Sequence, residues 1–185
     1  MRYKIRCITF FLIIITFCLN TSLAQTSLSG FLNIPFGIKM ETAKKLLLQK
    51  PGVKFAGERG RSSLSFTGLS IGAYKVDTCF LMESIFKGRF ETSNLVFYSN
   101  AGLLEEIYEL QCAKYGNPTT TYTINNDIFY RWEFPVRGSK HLNAITLRSD
   151  SAADYFILSY SGTGMLYPGW LQQYSQKSKN SAENF

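Results

Sequence analysis

Histidine is almost absent from this chain of 185 residues, which contains only His141. The sequence has four cysteines, and no two of them form a Cys-x-x-Cys pair. A four-ligand zinc site would need carboxylates to complete it, and no ligand pair has the close spacing that such sites use. We therefore expect no metal, no other cofactor and no thiol redox chemistry.

Candidate catalytic residues are correspondingly few. A hydrolase would combine the single histidine with a serine and an acid, the candidates being Ser139, Asp150 and Asp154. A cysteine nucleophile would have to be Cys79 or Cys112. The segment 57–61 contains glycine and arginine without the lysine of a phosphate loop, and we interpret it as a basic β-turn. The sequence therefore predicts a protein that is not an enzyme.

The first residues have the pattern of an export signal. Three basic residues precede the apolar run 7–19, and Ser22 and Ala24 follow it as a small-x-small exit. This pattern is typical of a secretory signal peptide, here residues 1–24, and predicts a secreted or periplasmic protein. The run is shorter than the roughly 20 apolar residues of a membrane span, so no stable span is expected after cleavage. A retained signal anchor is the alternative.

Removing the leader changes both the charge and the cysteine count. The remaining chain has 17 Lys plus Arg against 13 Asp plus Glu, a net charge of +4 instead of +7, which argues against nucleic acid as a partner. Cys79 and Cys112 remain, an even number for an oxidising compartment. A bridge between them would close a loop of about 33 residues, worth roughly 3 to 4 kcal/mol. Two unbridged thiols are the alternative.

Apolar spacing predicts two helices. Three- and four-residue repeats place them over 38–50 and 101–115, each followed by glycine and proline. The core stripe of the second helix is predicted to be Leu103, Leu104, Ile107 and Leu110. Strands are predicted at 64–66, 73–82, 90–98, 128–134, 143–148 and 155–160, after an extended segment at 28–36. Residues 125–127 are interpreted as a hairpin turn.

The order of these elements repeats. Each helix is followed by about three strands, which predicts an α+β fold with a mainly antiparallel sheet and two helices packed on one face. The fold would be built from two α-β-β-β halves, 31–99 and 100–161, within a single domain over 25–161. Residues 162–185 are rich in Gly, Ser, Gln, Lys and Asn, and we expect a mobile tail there.

Five segments carry a resemblance to a known fold. They are Ile34-Pro35-Phe36-Gly37-Ile38, Lys114-Tyr115-Gly116-Asn117-Pro118-Thr119, Trp132, Ile145-Thr146-Leu147 and the strand from Asp154 to Tyr160. In this order they resemble the β-lactamase inhibitor protein-like fold of small exported bacterial proteins, over residues 31 to 161. The resemblance implies a binding or inhibitory module, by analogy of fold.

Aromatic residues are plentiful, with 15 Phe, 11 Tyr and 2 Trp. If Tyr74, Phe97, Tyr130 and Trp132 share the helix-free face of the sheet, they form an exposed patch of the kind that binds partners. Ordinary core filling is the alternative, because sequence parity does not assign these residues to a face.

Basic residues of predicted loops would form the rim of this patch: Arg59, Arg61, Lys87, Arg89, Arg137 and Lys140. Scattered solubilising charge is the alternative interpretation. The leading functional prediction is an exported, non-catalytic module that binds a protein or peptide through its aromatic sheet face. A carrier of a small hydrophobic ligand or lipid in the cell envelope is the second, and an envelope enzyme using His141 is the third.

Overall fold

The computed structural model describes residues 27–84, 88–98, 102–149 and 154–162. Within them, two helices and a main sheet of eight antiparallel strands form an α+β fold. The predicted fold class is confirmed at this level. The predicted signal peptide lies outside the described residues, as do Lys87, Asp150 and all of the predicted tail except Gly162.

The first helix, α1, spans Met40–Leu48 and is two residues shorter at each end than predicted. It buries Met40, Ala43 and Leu47, the three- and four-residue spacing that creates one apolar face. Lys39 at its N-cap makes no side-chain hydrogen bond to the helix, and Glu41 in the first turn complements the helix dipole instead.

The second helix, α2, spans Leu103–Tyr115. Its buried residues are Ile107, Gln111 and Tyr115, whereas three of the four predicted core residues are only half-buried. The buried stripe therefore lies closer to the C-terminal end of the helix than predicted, and it includes a glutamine. Neither helix in the part of the chain described here is long and apolar enough to cross a lipid bilayer.

Twelve strands are present within the described residues. They are β1 (Gly30–Phe31), β2 (Ile34–Pro35), β3 (Lys54–Arg59), β4 (Ser63–Thr67), β5 (Ser70–Ile71), β6 (Tyr74–Lys75), β7 (Thr78–Glu83), β8 (Phe90–Tyr98), β9 (Thr120–Ile124), β10 (Asp127–Pro135), β11 (Leu142–Ser149) and β12 (Tyr155–Ser161). The main sheet has the order β3-β4-β7-β8-β12-β11-β10-β9. The pairs β1-β2 and β5-β6 are short separate hairpins.

Three sequence predictions of local structure are wrong. The segment 28–36 is a hairpin because Leu32 and Asn33 adopt positive φ angles of 49° and 66°, which reverse the chain. The predicted strand 73–82 is divided between β6 and β7. The predicted basic turn at 57–61 begins in β3, where Glu58 and Arg59 pair with β4. The predicted turn at 125–127 is confirmed at Asn125 and Asn126, which both have positive φ.

The strand register assigns one face of the main sheet to the core. One row crosses six strands through Phe66, Cys79, Leu95, Leu158, Leu147 and Tyr130. The side chains of this row pack in the same apolar cluster as Ala43 and Leu47 of α1 and Ile107 of α2. Both helices therefore cover this face, which we call the helix face.

The alternate residues lie on the opposite, helix-free face. Arg131 there is only 3% exposed, and its Nε lies 2.8 Å from Glu133 Oε1. Arg148, on the neighbouring strand, forms an ion pair with Asp127 at 2.7 Å. This face is therefore polar in its β10-β11 region, in contrast to the apolar helix face.

Candidate functional site

The four aromatic residues predicted to form an exposed patch do not form one. Phe97 and Trp132 are almost fully buried on the helix face. Tyr130 lies on the same face and packs against Tyr108 of α2, with ring centroids 4.5 Å apart. Tyr74 is half-buried in the β5-β6 hairpin and packs against the core cluster.

The prediction of an aromatic patch from these four residues is therefore wrong. The physical reason is the register. Tyr130 pairs with Leu147 and Trp132 with Ile145, so both rings share the side of the core aliphatic residues. Core filling, the alternative weighed from the sequence, is what the structure has.

Two of the arginines predicted for the rim, Arg59 and Arg61, are in different environments. The Arg59 guanidinium lies over the Phe80 ring, with Cζ 5.3 Å from the ring centroid. Phe80 is on the helix-free face because its neighbour Cys79 points to the core. Arg61 is exposed in the β3-β4 turn. The helix-free face thus does contain an arginine-aromatic pair, although with a different aromatic residue.

Both described cysteines are free thiols, so the structure does not contain the predicted disulfide. Cys79 lies in β7, whereas Cys112 follows Tyr108 by one helical turn on the side of α2 that packs over β10. Four strand spacings separate β7 from β10, about 19 Å, and a bridge needs Cα atoms within about 7 Å. Burial raises the pKa of Cys79 to about 12, so this thiol stays protonated and unreactive at neutral pH.

The residues of the predicted hydrolase do not converge on a described site. His141 lies in the β10-β11 connection, and its backbone N–H donates to Ser139 Oγ at 3.0 Å. Asp154 is exposed just before β12, and Asp150 lies outside the described residues. In the described ranges no group of three or more His, Cys, Asp or Glu side chains is placed to hold a metal ion.

The sequence prediction overlooked one motif. Gly68-Leu69-Ser70-Ile71-Gly72 has the spacing of the Gly-x-Ser-x-Gly nucleophile motif. In hydrolases this motif forms a sharp turn from a strand into a helix. Here Ser70 is instead an exposed residue of the two-residue strand β5, which pairs with β6 in a hairpin. The nucleophile geometry is therefore missing, but Ser70 does border a cleft in this surface.

This cleft has a volume of about 640 Å³ and lies on the side of the molecule that carries the helices. Its walls are the β1-β2 hairpin, the β5-β6 hairpin and the last two turns of α2, and Tyr160 of β12 contributes from the sheet. Apolar residues make up part of the lining: Leu28, Phe31, Leu32, Pro35, Ile71 and Leu110. The polar part comprises Ser29, Asn33, Lys50, Ser70, Gln111, Lys114, Tyr115 and Tyr160.

Contacts with the core hold the β1-β2 wall in place. The Phe31 and Tyr160 rings are 5.2 Å apart. Asn143 of β11 donates a side-chain hydrogen bond to the Leu28 carbonyl oxygen. The Phe36 N–H donates to the Ser29 carbonyl oxygen at 3.2 Å, which closes the base of the hairpin. The cleft is therefore formed by anchored elements, as preformed ligand sites usually are.

Gln111 is the most unusual residue of the cleft, because it is a polar side chain only 2% exposed, on the side of α2 that packs on the core. The Tyr160 hydroxyl donates to its Oε1 at 3.3 Å. Burial raises the pKa of Tyr160, so this hydroxyl keeps the proton that it donates. The helical spacing contained a signal for Gln111, since it follows the buried Ile107 by four residues. A glutamine at that position was not included in the predicted stripe.

Comparisons with protein families, with curated proteins and with solved structures return no match for this chain. The resemblance to the β-lactamase inhibitor protein-like fold therefore stays a prediction.

Proposed function

We propose that this protein is an exported, non-catalytic binding protein that holds a small ligand with an apolar body in the cleft between its two hairpins and α2. The observation that carries the proposal is the cleft itself. Its volume of about 640 Å³ lies within the range of roughly 300 to 1,000 Å³ typical of small-molecule sites. This function is the second of those predicted from the sequence.

The lining of the cleft supports binding rather than catalysis. The described residues that form it include no histidine, aspartate or glutamate. The lining therefore offers Ser70 neither the histidine nor the carboxylate of a Ser-His-Asp arrangement. The aliphatic and aromatic side chains of the lining supply burial for an apolar body, and the polar groups supply orientation.

The export of the protein and its internal organisation belong to the same proposal. Export is supported by the basic, apolar and small-residue pattern of residues 1–24. A single domain over 25–161, built from the halves 31–99 and 100–161, is supported by the strand order. In the main sheet, the four strands of the first half, β3, β4, β7 and β8, are contiguous, and the four strands of the second half continue the sheet from β12.

Filling the cleft should remove its occupant. We expect wild-type protein, expressed with its leader and purified from the exported fraction without detergent, to carry additional mass in a native mass spectrum. Ser70→Trp places an indole in the cleft, and this variant should appear without that mass. Ser62→Trp is the matched control, because Ser62 is an exposed serine of the β3-β4 turn that does not line the cleft.

Two results would contradict the proposal. Wild-type protein that carries no additional mass would remove the evidence for a ligand. Equal retention by wild type and both tryptophan variants would place the ligand elsewhere. The same spectra report cleavage of the leader, since the chain should begin near Gln25.

The helix-free face supports a second candidate function, the protein- or peptide-binding module that was the leading prediction. The favouring observation is the Arg59-Phe80 pair, together with Tyr98, which is 64% exposed at the end of β8. Aromatic residues and arginine are the residue types that dominate binding energy at protein interfaces. Arg59 was also predicted from the sequence for this role, whereas Phe80 and Tyr98 were not.

A photo-crosslinking residue at position 98 tests this candidate. If the face binds a protein, the crosslinker should give one discrete adduct in the cell envelope. Phe80→Ala should then reduce the adduct by about tenfold, as expected for loss of an aromatic anchor. Phe55→Ala is the control, since Phe55 is 39% exposed but lies at the β3 edge against Phe66 of the helix face. Equal loss in both variants, or no adduct, would argue against this face.

A further inference from the structure

The charged side chains that line the cleft are both positive. Lys50 and Lys114 are the two lysines of the described lining. No carboxylate side chain belongs to that lining. Neither lysine takes part in an ion pair within the described residues. Lys114 has a cation-π contact with Tyr115 at 5.0 Å, which keeps it beside the cleft. The lining of the cleft therefore presents two lysines, neither of them in an ion pair within the described residues, and no carboxylate.

Helix dipoles account for only part of this arrangement. Lys114 lies in the last turn of α2 and Lys50 lies just beyond the end of α1, and both places favour a cation without any ligand. A helix dipole does not explain Gln111, whose side chain is buried beside the same cleft. A buried side-chain amide normally uses all its hydrogen-bonding groups, because an unused donor costs free energy.

The amide group of Gln111 has one described side-chain partner, the hydroxyl of Tyr160. The only side-chain hydrogen bond that Gln111 makes among the described residues is the one that Oε1 accepts from Tyr160. Gln111 also belongs to the lining of the cleft, so its amide is placed to meet a ligand there. An anionic oxygen in the cleft would accept from Nε2 and would also neutralise the lysines.

We propose that the ligand of this cleft is an organic carboxylate with an apolar body, bound with its carboxylate between Gln111, Lys50 and Lys114. This inference rests on the proposed ligand-binding function and names its chemical class. The aliphatic residues of the lining receive the apolar body, and the buried amide supplies the directional hydrogen bond. The lysines, one half-buried and one exposed, supply charge.

Three probes of equal chain length separate charge from apolar burial: octanoate, 1-octanol and octylammonium. Calorimetric titration of the full chain should give the tightest binding for octanoate and the weakest for octylammonium. The double variant Lys50→Gln/Lys114→Gln should weaken octanoate binding by about tenfold and leave octanol within about twofold. Gln111→Leu should also weaken octanoate selectively. Lys54→Gln is the control, since Lys54 is an exposed lysine of β3 outside the cleft.

The outcomes separate the inference from the proposed function. Equal binding of all three probes, abolished by Ser70→Trp but unaffected by the lysine substitutions, would overturn the carboxylate inference and retain an apolar ligand site. Octanoate binding that survives Ser70→Trp would overturn both, because the anion would then bind elsewhere. Selective octanoate binding that also weakens as salt rises from low to high ionic strength would support the inference.

Discussion

Replacing Trp132 with alanine is expected to lower the free energy of unfolding by about 3 to 5 kcal/mol. The side chain is 1% exposed and lies 6.1 Å from the Tyr108 ring, measured between centroids. Its Nε1–H donates to the Gly116 carbonyl oxygen at 2.7 Å and so joins β10 to the end of α2. The substitution removes this bond and leaves a cavity between helix and sheet.

Denaturant unfolding followed by circular dichroism measures this effect, and Trp132→Phe divides it into its parts. Phenylalanine retains most of the apolar volume but leaves the Gly116 carbonyl without its donor, so a loss of about 1 to 2 kcal/mol is expected. Tyr98→Ala is the surface control and should change stability by less than about 0.5 kcal/mol. A Trp132→Ala protein with unchanged stability would contradict the assignment of this ring to the core.

Gly68→Ala is expected to be about as damaging, for a different reason. Gly68 has a φ of +78°, and a Cβ atom at this position would overlap the Gly52 carbonyl oxygen, which belongs to the turn after α1. The obstructing atom is backbone, so the turn cannot relieve the overlap by changing a rotamer. We expect a loss of about 3 kcal/mol, the sum of a backbone penalty near 1 kcal/mol and a steric term near 2 kcal/mol.

Gly60→Ala is the matched control for this prediction. Gly60 has a similar φ of +67°, but a Cβ atom there would meet nothing within 4 Å. This variant should lose only about 1 kcal/mol, the backbone part. Thermal unfolding of both variants gives the comparison. Equal losses in the two variants would show that the turn at Gly68 does not approach the turn at Gly52 as closely as the structure places it.

Local sequence patterns predicted the elements well where those patterns are strong. The strand over 90–98 coincides with β8, and the strand predicted at 143–148 lies within Leu142–Ser149. Both segments are rich in residues that favour strands. The hairpins β1-β2 and β5-β6 were missed because each strand has two residues, too few for a periodic signal.

The assignment of residues to a face required information that the sequence does not contain. Phe129 and Tyr130 are adjacent aromatics, so alternation says that they face opposite sides without saying which side is the core. Pairing of Tyr130 with Leu147 decides the question, and that register depends on contacts between separate strands. The cleft is hidden from sequence analysis for the same reason, since its lining comes from both hairpins, α2 and β12.

The position of β12 has a consequence for how the chain assembles. This strand is the last one in the described sequence, yet it lies in the middle of the main sheet, between β8 and β11. Its partners on β8 are 57 to 69 residues earlier in the chain. During synthesis, β8 and β11 therefore both keep unpaired edges until residues 155–161 have emerged, and such edges pair readily with other chains. Closing so long a loop is also slow, so the sheet becomes continuous only in a late step of folding.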